Sequence, residues 1–483
     1  MNLIIQLFTM LFELFEGLVK YIFEFLEISY SAIPKRKEGF DANFSTPGSI
    51  LSRREDGFCL TGNQNLSRKL SYQNTIAIGG TGSGKSSVIL LPSLYTMSGS
   101  FIIHDPSGEL HTKASGQLKK RGYEIKVLNF ANPQQSIFYN PLARANSSSE
   151  IQKVASMLVF AGSGGKSNDP FWNTQAVSLL ALLITILKTQ DEHLQNLYNV
   201  RHLLNEMGGS PKSIDLLFSK YADPVTFSEY KSFIAYDEKI VSGVIASCKA
   251  SLQIFADQSI AYVTSKDTLS LEEFRSKKVA LFIQNSIADQ RYYSTLTSIL
   301  FEQFFSYLLS RFPQKNEQDI FLLIDEAASL NLPTLPLAVA NCRKHNSGIL
   351  LLLQDYNQLI HNYGKYNADA IRANCTTKMF FSGLSHEMTK ELESTLGKYE
   401  FENEKKNLSV RPLMTNDEIR TMPTNQALII SGNYSPMIVK LRPYYKKSLY
   451  REYSELAPVD TNQNEILSDI PLLILPEERN AAA

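Results

Sequence analysis

Residues 79–86 read Gly-Gly-Thr-Gly-Ser-Gly-Lys-Ser, directly after the apolar run Asn74-Thr-Ile-Ala-Ile78. Few octapeptides constrain a fold so strongly. A short buried strand must enter a turn whose glycines let backbone N–H groups curl around an anion, and a helix must follow so that its positive end faces the same anion. Ser87-Val-Ile-Leu-Leu91 can supply the first turn of that helix. The spacing makes Gly79, Gly80, Thr81, Gly82, Ser83, Gly84, Lys85, Ser86 and Ser87 a phosphate-binding set, in which Lys85 reaches the outer phosphates and the Ser86 hydroxyl takes Mg²⁺. ATP with Mg²⁺ is the ligand that this predicts.

Hydrolysis needs more than binding, and Phe321-Leu-Leu-Ile-Asp-Glu326 carries what is missing. Four apolar residues read as a central parallel strand buried on both faces, with two carboxylates at its C-terminal edge, where ligands of open α/β sheets collect. Asp325 would hold Mg²⁺ through water, and Glu326 would orient and deprotonate the attacking water. A further apolar strand, Ile349-Leu-Leu-Leu-Leu353, ends at Gln354, placed either as a γ-phosphate sensor or as a glutamine facing solvent.

The chain has 483 residues, 43% hydrophobic and 20% charged, enough for two or three domains. Lys+Arg and Asp+Glu are both 48, so no global basic field advertises a nucleic acid, and a DNA contact must be local. Cys59, Cys248, Cys342 and Cys375 lie far apart without paired spacing, which argues against a zinc site or a disulfide framework and fits a reducing compartment. Leu3 to Tyr30 is rich in Leu, Ile and Phe, but Glu13, Glu16, Lys20, Glu24 and Glu27 recur at the helical period. The segment therefore reads as an amphipathic helix with an acidic stripe, neither a membrane span nor a secretory signal. It would dock on a protein partner, on its own copies, or on its own domain.

More than two hundred residues separate the phosphate loop from Asp325, so an element is inserted into an α/β core. Strands are expected at Phe101–Asp105, Ile125–Phe130, Lys278–Ile283, Thr377–Phe381, Gln426–Ile430 and Met437–Leu441. Helical spacing fills Glu150–Phe160, Phe171–Lys188, Val200–Met207, Ser213–Tyr221 and Lys239–Phe255, and a long helix spans Ser294–Arg311. The expected organisation is an N-terminal amphipathic segment over 1–33, the first part of the core over 34–146 opening on a linker around Pro34-Lys-Arg-Lys37, an all-α insertion over 147–275, the second part of the core over 276–450, and an exposed acidic tail over 451–483.

With these pieces placed, residues 45–450 resemble the type IV coupling proteins of bacterial conjugation and type IV secretion, the TraG/TraD class. The resemblance is carried by the phosphate loop, by His104-Asp-Pro-Ser-Gly-Glu-Leu110, Asn140-Pro-Leu142 and Asp169-Pro-Phe-Trp-Asn173, by Asp325-Glu326, by Gln354 with Asn357-Gln-Leu359, and by Tyr363-Gly364. It implies a RecA-like P-loop NTPase core with an inserted all-α subdomain and a homo-hexameric ring with ATP at subunit interfaces. It also implies export of single-stranded DNA bound to a relaxase, handed to secretion-channel proteins from the bacterial cytoplasm, at or near the inner membrane. The chain departs from the class at Ser107, where lysine is usual, which leaves Asp105 and Glu109 a supporting role. It departs again in its first residues, where the acidic helix stands in place of two membrane-spanning helices.

A ring motor completes its site with a cation from the neighbouring subunit, and Arg343, Arg372 and Lys378 are the candidates, each equally readable as a surface charge. Ala161-Gly-Ser-Gly-Gly-Lys-Ser167 reads as a pore loop or as a linker, and Trp172 as a base-stacking or a core residue. Two other functions fit the same residues. One is a coupling ATPase that docks a relaxase or other secreted protein without moving DNA, using the N-terminal helix and tail. The other is a nucleotide-gated scaffold, against which Glu326 argues, since a scaffold needs no poised base.

Overall fold

The computed structural model describes residues 39–162, 170–285, 289–402, 407–461 and 469–477. The expected N-terminal helix over 1–33, most of the glycine-rich loop at 161–167 and the terminal Ala481-Ala-Ala483 lie outside them. The chain divides into two compact units, Met1–Asn43 with Glu393–Thr415, and Phe44–Leu392 with Asn416–Ala483.

The larger unit is built on a nine-stranded sheet. In chain order its strands are β1 (Thr75–Ile78), β2 (Ser100–His104), β3 (Glu124–Asn129), β4 (Val279–Gln284), β5 (Ile320–Ile324), β6 (Ser347–Leu353), β7 (Thr377–Phe380), β8 (Gln426–Ser431) and β9 (Met437–Lys440). In space they run β9-β8-β7-β1-β6-β5-β2-β4-β3, parallel from β7 to β3, with β8 antiparallel to both its neighbours. Every residue of β1, β2, β5 and β6 is buried, which explains why these strands are continuous apolar runs without alternation: helices cover both faces. Phe101, Ile103, Phe321, Leu323, Leu350 and Leu352 point to one face and join a single apolar cluster with Val88, Leu94, Leu110 and Leu118. Those last four lie on helices α1 (Ser86–Thr96) and α2 (Glu109–Lys120).

The insertion leaves the sheet after β3 and returns as β4, which pairs with β3 from Glu124↔Val279 to Asn129↔Gln284 and with β2 on its other side. Exit and entry are thus adjacent strands, so a large excursion leaves the sheet unbroken. The excursion holds α3 (Ser148–Gly162), α4 (Pro170–Leu187), α5 (Leu197–Gly209), α6 (Pro211–Tyr221), α7 (Pro224–Ile234) and α8 (Glu238–Ser251). Helix α4 is apolar enough and long enough to cross a membrane, yet its Leu179–Ile184 run is buried against α3, α5, α7 and α8. It is the core of the helical part. Trp172, at its start, lies on the bare face of Gly243 in α8, where a Cβ would come within 2.7 Å of the ring, so this residue packs against a helix.

Helix α9 (Gln290–Ser310) leads to β5, α10 (Leu335–Asn341) to β6, and α11 (Tyr356–Asn374) to β7. Helix α12 (Ser448–Ser454) packs on α1 and α2. The stretch from 451, expected as an exposed tail, is exposed at most of its described residues but is held at a few points. Ala457 O would lie 2.5 Å from a Cβ at Gly116, the Val459 N–H donates to Ser115 Oγ, and Leu473 is buried. Apolar residues spaced among the acids supply this packing. The smaller unit holds an antiparallel pair, Lys398–Glu402 with Leu408–Pro412, bridged to Asp41 at Tyr399.

Candidate functional site

Sheet order decides which side chains meet. Strand β6 lies between β1 and β5, pairing Ile78 with Leu353 and Ile324 with Leu351, so Gln354 emerges between the phosphate loop and the two acids. Its Nε2 donates to Glu326 Oε2 at 2.6 Å, and its Oε1 accepts from Thr81 Oγ1 at 3.2 Å. A single amide therefore connects the loop, the end of β6 and the acid. Lys85 folds back so that its ammonium donates to the carbonyls of Gly79 and Gly80, and the Ser86 hydroxyl donates to Asp325 Oδ2 at 3.0 Å.

The loop has the shape of an anion cradle. Gly82 (φ 75°) and Gly84 (φ 87°) occupy the left-handed region, and their N–H groups have no hydrogen-bond partner among the described residues. Gly80 is pressed against Gly383, whose carbonyl would sit 3.2 Å from a Cβ. These residues fit a nucleotide's phosphates with Mg²⁺: free amides, a primary amine, a hydroxyl and a carboxylate converge on one edge. Desolvation lowers the Lys85 pKa, opposed by the charges of Asp325 and Glu326. It also shifts both acids upward, opposed at Asp325 by Ser86 and at Glu326 by Gln354. A carboxylate raised in this way is a better proton acceptor near neutrality.

Glu326 itself sits at φ 57°, ψ 59°, a left-handed backbone that costs a non-glycine residue about 1–2 kcal/mol. His104 helps to hold the turn. It is fully buried at the end of β2, and its Nδ1 lies 2.6 Å from the carbonyl oxygen of Asp325. Burial pushes this imidazole down to about 4, so it is neutral and its Nδ1–H donates. The Tyr363 hydroxyl accepts from Leu332 N and donates to Leu330 O, fixing the loop that follows Glu326. Gly364, at φ 74°, then kinks α11.

Asp105 and Glu109 open α2. Asp105 accepts from the N–H groups of Leu110 and His111, capping the helix, and Glu109 occupies its first turn. Burial outweighs those two bonds and pushes Asp105 up to about 7. Below about pH 4 both native and unfolded chains carry this proton, and the native chain keeps it as pH rises while the unfolded chain loses it. The contribution to stability is therefore full at low pH and is lost as pH rises through 7. The urea midpoint of the wild type, measured relative to Asp105→Asn, should fall between pH 4.5 and 8. A constant difference would remove Asp105 as the titrating group.

Of the three candidate trans cations, Arg343 precedes β6 and Arg372 precedes β7, whereas Lys378 lies within β7 opposite Ile76 of β1. Arg343 precedes β6, whose seven residues put it on the order of 20 Å from Gln354. At that distance Arg343 cannot serve its own chain's loop. Arg372 is engaged by Glu391 at 2.7 Å and lies over the Tyr356 ring, and Lys378 donates to the Cys375 carbonyl. Arg343 is exposed and has no ion pair among the described residues. Reading the sequence missed His104 as a partner of Asp325. It also missed Arg420, which lines a cavity of about 400 Å³ beside the loop with Gly80, Thr81, Ser382, Gly383 and Thr424. No spacing signals either residue, since His104 reaches the site through sheet order and Arg420 at the end of the short helix Asn416–Arg420.

Three comparisons bear on this site. The family model for type IV secretory system conjugative DNA transfer matches residues 26–468. Among curated relatives, protein VirD4 of Agrobacterium fabrum is 20% identical over 406 residues, 79% of this chain and 60% of that protein. Conjugal transfer protein TraG of Escherichia coli is 24% identical over 322 residues, 61% of this chain and 50% of that protein. The chain thus spans about 60% or less of these relatives' length. Among solved structures, the unbound bacterial conjugative coupling protein TrwBdeltaN70 superposes with a TM-score of 0.67 at 19% identity, over 84% of this chain and 94% of that one. Plasmid coupling protein TrwB in complex with ADP and Mg²⁺ gives 0.66 at 18%, over 84% and 95%. The fold is the RecA-like P-loop core with a helical domain.

Proposed function

The chain belongs to the type IV secretory system conjugative DNA transfer family, and from that premise we propose that it is an ATPase that recruits single-stranded DNA with its relaxase and drives the strand into a secretion channel. The observation that carries the enzymatic part is the Gln354 amide, bonded at once to Thr81 of the loop and to Glu326. A solvent-facing glutamine has no reason to bridge them. The relatives' names, conjugal transfer protein and coupling protein, support the transport part.

In this reading the amides of residues 80–86 and Lys85 bind the β- and γ-phosphates, and Ser86 and Asp325 hold the metal. Bound Mg²⁺ supplies charge neutralisation at the transferring phosphoryl group. Glu326 orients a water on the γ-phosphorus, accepts its proton as the oxygen attacks, and ADP leaves. Gln354 fixes one oxygen of Glu326 and, through Thr81, registers whether the γ-phosphate is present. Arg343 of a neighbouring copy completes the site across the interface of a ring, six-membered by analogy with the family. DNA is gripped through its phosphates, a contact that weakens with salt. The N-terminal segment docks on channel or anchor proteins at the inner membrane.

Phosphate release should rise on adding single-stranded DNA. The stimulation should shrink between low and high salt and grow steeply with protein concentration, and Lys85→Ala should remove both basal and stimulated turnover. Hydrolysis indifferent to DNA would favour the second reading, a coupling ATPase that docks a relaxase or another secreted protein without moving DNA.

A further inference from the structure

Arg343, the exposed cation given the trans role above, stands on a four-residue 3-10 turn, Cys342–His345, between α10 and β6. Both ends of that turn are buried, Cys342 at 1% and His345 at 7% exposure, while Arg343 and Lys344 between them face solvent. Each end is fastened by a buried polar side chain from a distant part of the chain.

At the first end stands Asn74, 1% exposed, left-handed at φ 59°, and the residue that leads into β1. Its Nδ2 donates to the Val339 carbonyl in α10 at 2.7 Å. Its Oδ1 accepts from the Cys342 thiol at 3.2 Å and from the Ile349 N–H of β6 at 2.9 Å. At the other end stands Arg275, 3% exposed. Its guanidinium donates to the His345 carbonyl at 2.6 Å, to Ser347 Oγ at 3.2 Å and to the Gln318 carbonyl at 2.9 Å, and it makes no ion pair among the described residues. A guanidinium buried without a counter-charge is costly, and this one directs its donors to the groups that flank the turn. The His345 ring is fixed as well, with Nδ1 2.8 Å from the Arg311 carbonyl and its face stacked on Phe312.

A connection that only joins a helix to a strand needs neither clamp. What two clamps add is a fixed position for the side chains between them. We propose that Asn74 and Arg275 are positioning residues that make this turn a rigid pedestal, holding Arg343 where it meets the nucleotide bound by a neighbouring copy. The pedestal's purpose rests on the trans role proposed for Arg343. Asn74 adds a consequence of its own: β1 runs from this clamp to the phosphate loop, so one strand ties the cation that a subunit offers to the loop that it keeps.

The test uses the full chain, assembled. Asn74→Gly removes the side chain at a backbone angle that glycine adopts freely, and Arg275→Lys keeps the charge but loses the planar fork. Each should lower kcat by about 10–10²-fold, leave nucleotide affinity within a few-fold of wild type, and speed amide hydrogen exchange over residues 342–346. Thermal melts show which variants are folded, and Cys342→Ala, which removes only the thiol's bond to Asn74, gives a milder loss in the same direction should either fail. Added to Arg343→Ala, neither substitution should lower turnover further, because the group they position is gone. Mixing either variant with Glu326→Gln chains should restore activity, since those chains present an intact pedestal to the variant's own sound site. A loss that adds in full to that of Arg343→Ala, or that mixing does not relieve, would give the two residues a structural role alone and overturn the proposal, as would an unchanged kcat. A harmless Arg343→Ala would instead sink the trans role itself, a result that the single variant gives without touching either clamp.

Discussion

Glu326→Gln should lower ATP turnover by about 10²–10⁴-fold while leaving nucleotide affinity within a few-fold of wild type. Glutamine keeps the shape and still offers an oxygen to the Gln354 amide, the 2.6 Å bond that positions this side chain. What it loses is the ability to take a proton from water. The raised pKa of Glu326 sharpens the expectation, because burial makes the native carboxylate a stronger base than an exposed one. Steady-state phosphate release at saturating ATP, beside titration with a fluorescent nucleotide, separates turnover from binding. A loss of turnover no greater than about tenfold would place the base elsewhere.

Arg343→Ala should cost about 10³–10⁵-fold in turnover, but only in the assembled protein. Arg372 is held by Glu391 and stacked on Tyr356, and Lys378 is turned to the Cys375 carbonyl, whereas Arg343 is exposed at the sheet edge remote from its own loop. Arg372→Ala should instead loosen the start of α11 and leave turnover per folded subunit largely intact. With Glu326 proposed to act in its own subunit and Arg343 in the next, mixing inactive Glu326→Gln and Arg343→Ala chains should rebuild about a quarter of the interfaces. No recovery on mixing would confine both residues to one subunit or to no shared site.

Much of this was legible in the sequence, because the features concerned are local. The phosphate loop announces itself through eight consecutive residues, and β5 with Asp325-Glu326 through an apolar run ending in acids. Helix spacing marked α3, α4 and α5 to within a few residues. Strand order was not legible, since it depends on crossovers of tens to hundreds of residues. It decides that Gln354 emerges between Thr81 and Glu326 and that His104 reaches the Asp325 carbonyl. The choice among three cations needed ion pairs that sequence spacing does not reveal, such as Arg372 with Glu391. The pair of strands at Lys398–Glu402 and Leu408–Pro412 went unread although Tyr399 and Phe401 alternate with charges, because each strand is only five residues long and neither has a buried residue. The few anchoring points of the tail were not legible either, since one buried leucine, Leu473, leaves no periodicity.

The most direct measurement of the central claim is displacement of streptavidin from the end of a biotinylated single-stranded DNA by the assembled protein. The account predicts displacement that requires hydrolysable ATP and is lost in Lys85→Ala and Glu326→Gln. DNA-stimulated hydrolysis without displacement from either end of the strand would contradict it, and would leave a coupling ATPase that binds DNA without moving it.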